Sequence, residues 1–335
     1  MKKILIIGGT QFVGRNLVEQ LLPLEAYDIT LFNRGKTNPE LFTEVKRISG
    51  DRNTKDLYKV AQQNWDCIID ISCYYPNPLE DFLKQIKGKV GRYIFVSTAS
   101  VYNLETDNKQ GYMTENFTKS TYTKADRVDK TMATYGKRKV ACEDVLLSQD
   151  WLDVIILRPA LIVGHYDYSD RLYYWFYKTK TQQCFIIPNE GKDLISYTDV
   201  LDFSKMMIKA IDVEHKHQVY NASSYATSLG EFVRLAAKHF NKNLQLINAT
   251  PAFIEAQKVA VWSELPLWVA GDFFTMDSAR LQKDFDFTFS TPAETTERLL
   301  DYYGNYMKWR YVGEDKFGKK QLTLKREAEL MKLLL

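Results

Sequence analysis

Cysteine and histidine are both scarce in this sequence. The 335 residues contain four of each, and no two cysteines stand in a Cys-x-x-Cys pair. The sequence therefore has neither the dense cysteine framework of small secreted domains nor the clustered ligands of a structural zinc site. We expect reduced thiols, no metal site and a cytoplasmic location. The cysteines are Cys67, Cys73, Cys142 and Cys184.

Long apolar runs and a strong excess of one charge are also absent. No stretch reaches the roughly 20 apolar residues that a membrane-spanning helix needs, and the net charge is only +3. This balance argues against a membrane or a nucleic acid as the main partner. Because the first apolar run begins close to the N-terminus, we expect no secretory signal. The expected partner is a small-molecule substrate, and the sequence leaves open whether the protein is a monomer or a homodimer.

The sequence does contain a regular succession of short apolar runs, separated by stretches of helical length. Near-continuous Val/Ile runs that alternate with helices are typical of an α/β fold with a parallel, doubly wound sheet of the Rossmann type. The runs are "ILII" (4–7), "DITLF" (28–32), a shorter "VKRIS" (45–49), "CIIDI" (67–71), "YIFVS" (93–97) and "VIILRPALIV" (154–163). The predicted helices lie around 15–23, 55–64, 79–87 and 136–149.

The pattern changes after about residue 164, where aromatic and irregular sequence replaces the apolar runs. Two later stretches, "LISYTDV" and "VYNAS", indicate a return to the sheet at about 194–224. We therefore predict a Rossmann domain formed by 1–164 and about 194–224. A smaller, discontinuous substrate lobe would comprise about 165–193 and 225–300, and a C-terminal helical tail would follow at 301–335.

The first turn of the predicted sheet carries a glycine pattern, "GGTQFVG" at 8–14. A loop that leads from strand to helix and cradles a dinucleotide pyrophosphate needs Gly8 at the sharp bend and Gly14 where the helix packs on the strand. Gln11 stands where such loops normally carry a third glycine, but φ is expected to be negative there, so a side chain is tolerated and the helix N-terminus still offers N–H groups to a phosphate. The alternative is a tight turn that binds nothing. The predicted cofactor contacts of this loop are Gly8, Thr10, Gln11, Phe12, Val13 and Gly14.

The end of the second predicted strand bears on the choice between NAD and NADP. An acid there accepts hydrogen bonds from the adenosine ribose in NAD-binding folds, but counting on from Gly14 puts Phe32 at that position, with Arg34 and Lys36 behind it. A cation suits a 2′-phosphate, which arginine binds through two N–H groups. We therefore favour NADP over NAD, the alternative being a solvated basic turn. Asp51, after the third strand, is a candidate for the adenine amino group or an ordinary turn residue.

The strongest chemical signal is a tyrosine–lysine pair in "YGKRK". Tyr135 and Lys139 lie four residues apart, which places them one turn apart on the same face of a predicted helix. A phenol has an ordinary pKa of about 10, and a neighbouring ammonium and an oxidised nicotinamide both favour its phenolate, as acid/base catalysis requires. Upstream, "FVSTASVY" ends the fifth strand with hydroxyls, among which Thr98 would hold the substrate oxygen. The alternative is an ordinary helix surface.

These motifs together resemble the short-chain dehydrogenase/reductases, in the extended or atypical branch of the NAD-dependent epimerase/dehydratase type. The stretches that carry the resemblance are "GGTQFVG", "GDRN", "FVSTASVY", "YGKRKVACE" and "ILRPALIVG". The resemblance implies Thr98 as substrate hydroxyl, Tyr135 as acid/base, and Lys139 as ribose anchor. Later stretches such as "WSELPLW" resemble hydroxyisoflavone reductase-like bacterial oxidoreductases, and the glycine loop is similar to that of chloroplast stem-loop RNA-binding proteins. The departures from the family pattern are Gln11 and His165, which stands where Gly-Pro is usual.

The remaining predicted contacts complete a cofactor site and a substrate site. The cofactor site further includes Asn33, Arg34, Asp51, Ile71, Ser97 and Pro159, together with Tyr135 and Lys139. The predicted substrate contacts are Tyr102, Tyr166 and Arg171, the last two in "HYDYSDRLYYWFYK", because loops leaving the sheet there normally border the substrate. An aromatic lining would suit a flat or ring-bearing substrate, and Arg171 an anionic group. The alternative is a helix whose aromatic stripe faces the core.

Three functions fit these observations. The first is an NAD(P)-dependent oxidoreductase that moves hydride to or from a carbonyl or secondary alcohol, with Tyr135 as acid/base, and we favour it. The second is a nucleotide-sugar epimerase or dehydratase with a tightly bound cofactor, although a dehydratase would want an acid where this chain has Ala99 and Ser100. The third is an RNA-binding or regulatory protein that retains the fold.

Overall fold

The computed structural model describes residues 1–105, 111–214, 216–269, 274–310 and 321–335. The strands of this part are β1 Lys2–Ile7, β2 Tyr27–Asn33, β3 Lys46–Ser49, β4 Trp65–Asp70, β5 Val90–Val96, β6 Asp153–Pro159, β7 Leu161–Val163, β8 Cys184–Pro188, β9 Leu194–Asp199, β10 Gln218–Ala222, β11 Ala226–Ser228 and β12 Gln245–Ala249. Seven of them form one parallel sheet, the main sheet, in the order β3-β2-β1-β4-β5-β6-β10. This arrangement confirms the predicted fold class.

Helices cover both faces of the main sheet. The helices of the described part are α1 Phe12–Leu21, α2 Pro76–Ile86, α3 Tyr135–Leu147, α4 Arg171–Thr181, α5 Val200–Asp212, α6 Leu229–His239, α7 Pro251–Ala256, α8 Ala279–Phe285, α9 Pro292–Asn305 and α10 Leu324–Leu334. In β1, Ile4 and Ile6 face the side covered by α1 and α5, whereas Leu5 and Ile7 face α2 and α3. Both faces of the strand are apolar because both are buried. None of the helices in the described ranges combines the length and apolar character needed to cross a bilayer.

Three predicted elements differ from the structure. The apolar run 154–163 is broken at Ala160, because Pro159 has no N–H to continue the sheet. The N–H of Ala160 instead donates to Thr198 at 2.9 Å, and β7 leaves the main sheet to pair with β9. Of the two stretches predicted to return to the sheet, β10 does so, whereas β9 lies in a separate three-stranded sheet with β7 and β11. The helix predicted at 55–64 is a 3₁₀ helix, Lys55–Gln62.

Three helices and a two-stranded sheet pack around an aromatic core, and we call this part of the molecule the second lobe. Helices α4, α6 and α9 and the two-stranded β8–β12 sheet enclose this core. Its largest side chains include Tyr173, Trp175 and Phe176 from α4 and Tyr303 from α9. Of the predicted C-terminal tail, residues 311–320 lie outside the described part, and α10 packs on β8 and β12. The domain boundaries themselves stay a prediction.

Candidate active site

A cleft of about 900 Å³ opens at the carboxyl edge of the main sheet. Its lining includes the segments that follow β1 to β6. The cleft therefore crosses the boundary between β1 and β4, where the strand order reverses and where ligands bind in open α/β sheets. Most of the predicted contacts line it, namely Gly8, Thr10, Gln11, Phe12, Val13, Gly14, Asn33, Arg34, Asp51, Ile71, Ser97, Thr98, Tyr102, Tyr135, Lys139, Pro159 and Arg171. The exception is Tyr166.

The backbone of the glycine loop shows which of its residues must be small. Gly8 and Gly9 have φ of +123° and +104°, where a side chain would be strained. A Cβ on Gly14 would lie 2.6 Å from the backbone nitrogen of Gly9, so glycine is needed for α1 to approach the loop this closely. Gln11 has φ of −140°, which confirms that a side chain is tolerated there. The strained residue is instead Phe12, with φ of +39°, and the sequence carried no signal for it.

The N-terminus of α1 can receive an anion. Gln11, at the cap position, makes no capping hydrogen bond with its side chain, and the first turn carries no acid. The N–H of Gly14 donates to the carbonyl of Gln11 at 3.0 Å, but no side chain of the first turn neutralises the positive end of the helix dipole, and the loop that bears it lines the cleft. This arrangement fits the pyrophosphate of the predicted dinucleotide.

A buried arginine on the cleft wall is a second sign of a ligand. Arg52 donates through Nη1 to both carboxylate oxygens of Asp70, at 2.6 and 2.8 Å, and Tyr93 donates to the same carboxylate at 2.6 Å. The Nη2 atom of Arg52 is buried without a hydrogen-bond partner among the residues that the structure describes. Because an unpaired buried donor costs about 1–3 kcal/mol, a cofactor atom that accepts from Nη2 would stabilise this part of the site.

The structure corrects the residue assigned to the ribose at the end of β2. Phe32 is only 1% exposed and packs beneath Gly50, whose Cβ would come within 2.9 Å of the Phe32 ring. The strand ends one residue later, at Asn33, which lines the cleft. The Asn33 amide donates to the carbonyl of Gly8 at 3.0 Å and accepts from the N–H of Gly35 at 2.9 Å. Asn33 therefore holds the loop after β2 at the wall of the cleft.

The two further predicted adenosine contacts, Arg34 and Asp51, differ in their exposure and in their hydrogen bonds. Arg34 is exposed on the cleft wall, and Lys36 lies just beyond it. Asp51 accepts the N–H of Asn53 at 2.9 Å, so its carboxylate shapes the turn after β3. One carboxylate oxygen of Asp51 forms the turn, and the other is left to accept from a ligand.

Lys139 fixes α3 against the ends of two strands. Its ammonium donates to the carbonyl of Val96, at the end of β5, at 2.7 Å and to that of Cys73, after β4, at 2.8 Å. An ammonium has three N–H groups, so one remains for a ligand in the cleft that Lys139 lines. Tyr135 lies one turn earlier, at the first residue of α3, with its ring centre 6.2 Å from that of Tyr74.

Gly136 sets how closely α3 approaches the loop after β5, and sequence reasoning missed it. A Cβ at this position would overlap the carbonyl oxygen of Ser100. Gly136 therefore allows Tyr135 to stand beside the loop that holds Thr98. The available signal was the glycine inside "YGKRK", because glycine destabilises a helix by roughly 1 kcal/mol and is kept where close packing requires it.

The hydroxyl side chains after β5 differ in their partners. Thr98 Oγ1 accepts the N–H of Ser100 at 3.1 Å and donates to the Ser100 hydroxyl at 3.2 Å. The Thr98 hydroxyl can turn from Ser100 to a substrate oxygen with the loss of only this one long hydrogen bond. Ser97 is buried, and its hydroxyl donates to Glu143 at 2.6 Å. The hydroxyl proton of Ser97 is therefore committed to Glu143, and its backbone N–H donates to the carbonyl of Leu157 at 2.7 Å.

A buried carboxylate behind this loop keeps α3 in place, and sequence reasoning missed it as well. Glu143 follows Tyr135 by two helical turns and shares the inward face with Lys139. Arg158, at the end of β6, donates to both carboxylate oxygens of Glu143, at 2.6 and 2.9 Å. Because Glu143 and Arg158 are both buried, the pair resists sliding or rotation of the helix that carries Tyr135. The signal was the eight-residue spacing from Tyr135 to Glu143.

Tyr102 belongs to the same network. Its hydroxyl accepts from Arg158 at 3.0 Å and donates to Asn221 at the end of β10. Burial, opposed by the neighbouring Arg158, raises the pKa of Tyr102 to about 12. Tyr102 is therefore a neutral phenol whose hydroxyl is occupied within the protein, and its contact with a substrate is limited to its ring.

Of the two loop residues predicted to contact the substrate, Arg171 lines the cleft and Tyr166 does not. The Tyr166 ring lies 3.6 Å from the guanidinium carbon of Arg15 and edge-on to the rings of Tyr302 and Tyr306. The backbone at Tyr166 is left-handed, with φ of +64°. This turn places the side chain against α1 and the end of α9 instead of the cleft, which the sequence pattern did not indicate.

The cysteines and histidines are also possible metal ligands by residue type, but their surroundings differ from those of a metal centre in the described part of the chain. Outside the gaps in the described chain, no group of three or more His, Cys, Asp or Glu is placed to hold a metal ion. All four cysteines are free thiols, and burial raises the pKa of the Cys67 thiol well above its ordinary value. A buried thiol of this kind is unreactive.

A protein-family model matches most of the chain. The model is described as the NAD dependent epimerase/dehydratase family and matches residues 4–223, more than half of the 335 residues. The matched segment contains the main sheet except for the first two residues of β1, and it includes the glycine loop and the helix with Tyr135 and Lys139.

Solved structures share the fold. The UDP-glucuronic acid 4-epimerase of Bacillus cereus in complex with NAD is 16% identical, with a TM-score of 0.69 over 92% of this chain and 100% of that chain. The dTDP-glucose 4,6-dehydratase of Bacillus anthracis in complex with NAD is 14% identical, with a TM-score of 0.70 over 92% of this chain and 98% of that chain. At these identities the similarity concerns the fold alone.

A curated relative is the chloroplast stem-loop binding protein of 41 kDa b from Arabidopsis thaliana. It is 25% identical over 238 residues, which cover 66% of this chain and 58% of the relative. The match thus spans less than two thirds of the relative's length. It confirms the similarity to chloroplast stem-loop binding proteins that the glycine loop indicated.

Proposed function

Because the chain belongs to the NAD-dependent epimerase/dehydratase family, we propose that it is an NAD(P)-dependent oxidoreductase acting on a small-molecule carbonyl or secondary alcohol. The observation that carries this proposal is that the glycine loop, Thr98, Tyr135 and Lys139 all line one cleft. The glycine loop would bind the cofactor pyrophosphate, Thr98 would bind the substrate oxygen, and Tyr135 with Lys139 would transfer the proton.

The cofactor site is proposed along the cleft from the glycine loop to Lys139. When bound there, the nicotinamide supplies hydride-transfer chemistry. The 8–14 loop holds the pyrophosphate at the uncapped N-terminus of α1. Arg52 and Asp51 form hydrogen bonds with the adenosine, and the third N–H of Lys139 donates to the nicotinamide ribose. NADP is preferred, because Arg34 offers a cation to the 2′-phosphate, and Asn33 lacks the charge with which an acid would repel it.

Tyr135 is the proposed acid/base. Its hydroxyl gives a proton to the substrate oxygen when a carbonyl is reduced and takes one when an alcohol is oxidised. Thr98 holds that oxygen by turning its hydroxyl away from Ser100. Lys139, whose ammonium is anchored by two main-chain carbonyls, stabilises the phenolate that remains after proton transfer.

Epimerisation of a nucleotide sugar is the second candidate. It is favoured by the fold similarity along the full length of a UDP-glucuronic acid 4-epimerase. The same three side chains would serve it, with the cofactor retained between turnovers. Dehydration is disfavoured, because Ala99 and Ser100 follow Thr98 where a dehydratase would want an acid.

Two proposals on organisation accompany this function. Residues 1–164 and about 194–224 form the cofactor domain, and 165–193 with 225–300 form the substrate lobe. Free thiols at all four cysteines are typical of a reducing compartment, which supports a cytoplasmic location.

The test is a measurement of cofactor consumption at the nicotinamide absorbance band. The purified protein is given NADPH or NADH with a panel of carbonyl compounds, and stoichiometric consumption supports the oxidoreductase. A cofactor that co-purifies and is not consumed while UDP-glucuronic acid is epimerised supports the second candidate. Salt-sensitive binding of a stem-loop RNA that survives Tyr135→Phe, without cofactor binding or turnover, overturns both and supports an RNA-binding protein.

A further inference from the structure

Three large rings stand exposed around the cleft. Tyr74, Tyr168 and Trp262 line it and are 45%, 59% and 44% exposed. Tyr74 neighbours Tyr135, and Tyr168 packs edge-on against Phe12 of the glycine loop, with ring centres 6.1 Å apart. Exposed rings gathered at one cleft are an apolar surface that a ligand could cover.

Trp262 lies on the wall of the cleft beside the second lobe. Its ring packs edge-on against Phe274, which also lines the cleft and pairs with Ile195 of β9. Since β9 adjoins β7, which directly follows β6, this wall lies at the opposite end of the cleft from β2 and β3.

The backbone of Trp262 is unusual for a large side chain. Its φ is +72°, a left-handed conformation that is uncommon for a residue with a large side chain. Strained residues of this kind cluster at ligand-binding sites, where the surrounding structure maintains them. Because Trp262 is 44% exposed, its side chain contributes little buried apolar area to the core, and its ring is available to a ligand.

The charges of the cleft are unevenly distributed. Arg34 and Lys36 follow β2, which lies three strands from β5, or about 14 Å at the usual strand spacing of about 4.8 Å. These two cations therefore lie at the end of the cleft where the cofactor adenosine is proposed to bind, away from Thr98 and Tyr135. In the described part of the lining, the end beside the second lobe has one cation, Arg171, and one acid, Asp167. Burial raises the pKa of Asp167, and Ser169 and the nearby Arg171 oppose that rise, so cation and acid act on each other.

From these rings and charges we infer that the substrate is a flat, ring-bearing carbonyl compound or alcohol with at most one anionic group. A nucleotide diphosphate sugar carries at least two negative charges on its diphosphate, and one cation that is already offset by an acid is a poor match for them. A flat ring instead stacks on Trp262 or Tyr74, and a single carboxylate binds Arg171. The inference rests on the proposed function, in which Tyr135 exchanges a proton with the substrate oxygen.

The experiment compares three unreactive probes by calorimetry on the full chain saturated with NADP. The probes are 2-methylnaphthalene, a flat hydrocarbon without charge, 2-naphthoate, which has a carboxylate in place of the methyl group, and UDP, which carries the diphosphate. We expect 2-naphthoate to bind at least tenfold more tightly than UDP, because both can stack a flat ring, but the diphosphate of UDP brings more negative charge beside Asp167 than Arg171 can offset.

Three variants separate the contributions. Trp262→Ala is expected to weaken both naphthalene probes about tenfold, and Arg171→Gln to weaken 2-naphthoate alone. The matched control is Tyr306→Ala, which removes a ring that is 56% exposed but does not line the cleft, and we expect it to change no affinity. Circular dichroism of each variant verifies folding before titration.

The outcomes distinguish this inference from the proposed function. If NADP binds and UDP binds more tightly than 2-naphthoate, or if Trp262→Ala leaves both naphthalene affinities unchanged, the substrate class is wrong while the cofactor site stands. If neither NADP nor NAD binds the wild-type chain, the proposed function fails and this inference falls with it. Tight 2-naphthoate binding that both Trp262→Ala and Arg171→Gln weaken supports the inference.

Discussion

The molecule buries an ion pair in each of its two regions, Glu143 with Arg158 at the edge of the main sheet and Glu327 with Lys178 in the second lobe. The closest nitrogen–oxygen distance is 2.6 Å in both pairs. Burial acts to lower the pKa of each cation, yet Glu143 raises the pKa of Arg158 above its ordinary value, whereas the pKa of Lys178 stays lowered. The carboxylate therefore offsets the burial of the cation in the first pair but not in the second, although the two distances are equal.

The difference follows from the shape of the cation and from its surroundings. The guanidinium of Arg158 binds both oxygens of Glu143 and also the Tyr102 hydroxyl, so its donors are well used. The ammonium of Lys178 has one carboxylate oxygen and a long contact of 3.3 Å to the Tyr174 hydroxyl. Attraction does not fully offset the desolvation of such a pair. The first pair positions the helix of Tyr135, and the second attaches α10 to its lobe.

The largest expected effect on turnover is that of Tyr135→Phe. Removing the transferable proton should lower kcat by about 10²–10⁴-fold, while cofactor affinity stays unchanged because the ring and Lys139 remain. Steady-state kinetics and a calorimetric cofactor titration measure the two quantities.

A buried phenol of the second lobe is the matched control. Tyr174→Phe removes a hydroxyl that donates to the carbonyl of Leu322 at 3.2 Å, and it should leave kcat unchanged. Near-normal turnover in Tyr135→Phe would remove this residue from the mechanism.

The two ion pairs give the second prediction. Glu143→Gln and Glu327→Gln should each lower the free energy of unfolding by about 3–5 kcal/mol, because each leaves a cation buried without its carboxylate. Only Glu143→Gln should also lower kcat, since only Glu143 holds the helix of Tyr135. Denaturant unfolding and kinetics below the transition measure both effects. Equal loss of kcat in the two variants would contradict the positioning role.

The second-lobe pair can be removed as a unit to sharpen this comparison. The double variant Lys178→Met with Glu327→Leu should be less destabilised than Glu327→Gln alone, because it abolishes the desolvation of both charges, although the buried N–H of Ile186, which donates to Glu327 at 2.9 Å, then loses its acceptor. A double variant as unstable as Glu327→Gln alone would show that the pair is net stabilising.

The third prediction compares two threonines that cap a turn. Thr98→Ala should cost about 2–4 kcal/mol of transition-state stabilisation if its hydroxyl holds the substrate oxygen, and Thr98→Ser should restore most of it. Thr323 caps α10 by accepting the N–H of Arg326 at 3.2 Å, and Thr323→Ala should lower stability by about 0.5–2 kcal/mol without changing kcat. If Thr98→Ala likewise alters only stability, its role is structural.

The smallest expected effect concerns the choice of cofactor. Arg34→Ala should weaken NADP binding by about 1.5–3 kcal/mol, the usual worth of a charge-assisted hydrogen bond, and spare NAD. Asn33→Asp should shift preference toward NAD by adding a ribose acceptor and repelling the 2′-phosphate. Position 33 is the one to change, because Phe32 is buried.

The control for Arg34 is an arginine of the second lobe. Arg234 pairs with Glu231 on the exposed side of α6, and Arg234→Ala should affect neither cofactor. Paired titrations with NAD and NADP on each protein measure the preference. Tighter binding of NAD by the wild type, with Arg34→Ala indifferent to the 2′-phosphate, contradicts the NADP assignment.

Features that depend on neighbouring residues were determined by the sequence itself. Strands β1, β2, β4, β5 and β6 each contain an apolar run, so most of the parallel sheet and its flanking helices follow from local pattern. Gly8 and Gly14 mark the bend and the close approach of α1, and the four-residue spacing places Tyr135 and Lys139 on one helix face. Because parallel strands end at one edge, these residues reach the same cleft.

Features that depend on distant partners were decided only by the tertiary structure. Arg158 of β6 forms its ion pair with Glu143 of α3. Gly136 is needed because a Cβ there would overlap the carbonyl oxygen of Ser100. The Tyr166 ring lies away from the cleft because it packs on Arg15 of α1 and Tyr302 of α9. The hydrogen bond from Tyr102 joins residues 119 positions apart. A periodic pattern shows that a side chain is buried or exposed, but its partner is set by how helices and strands from separate parts of the chain pack together.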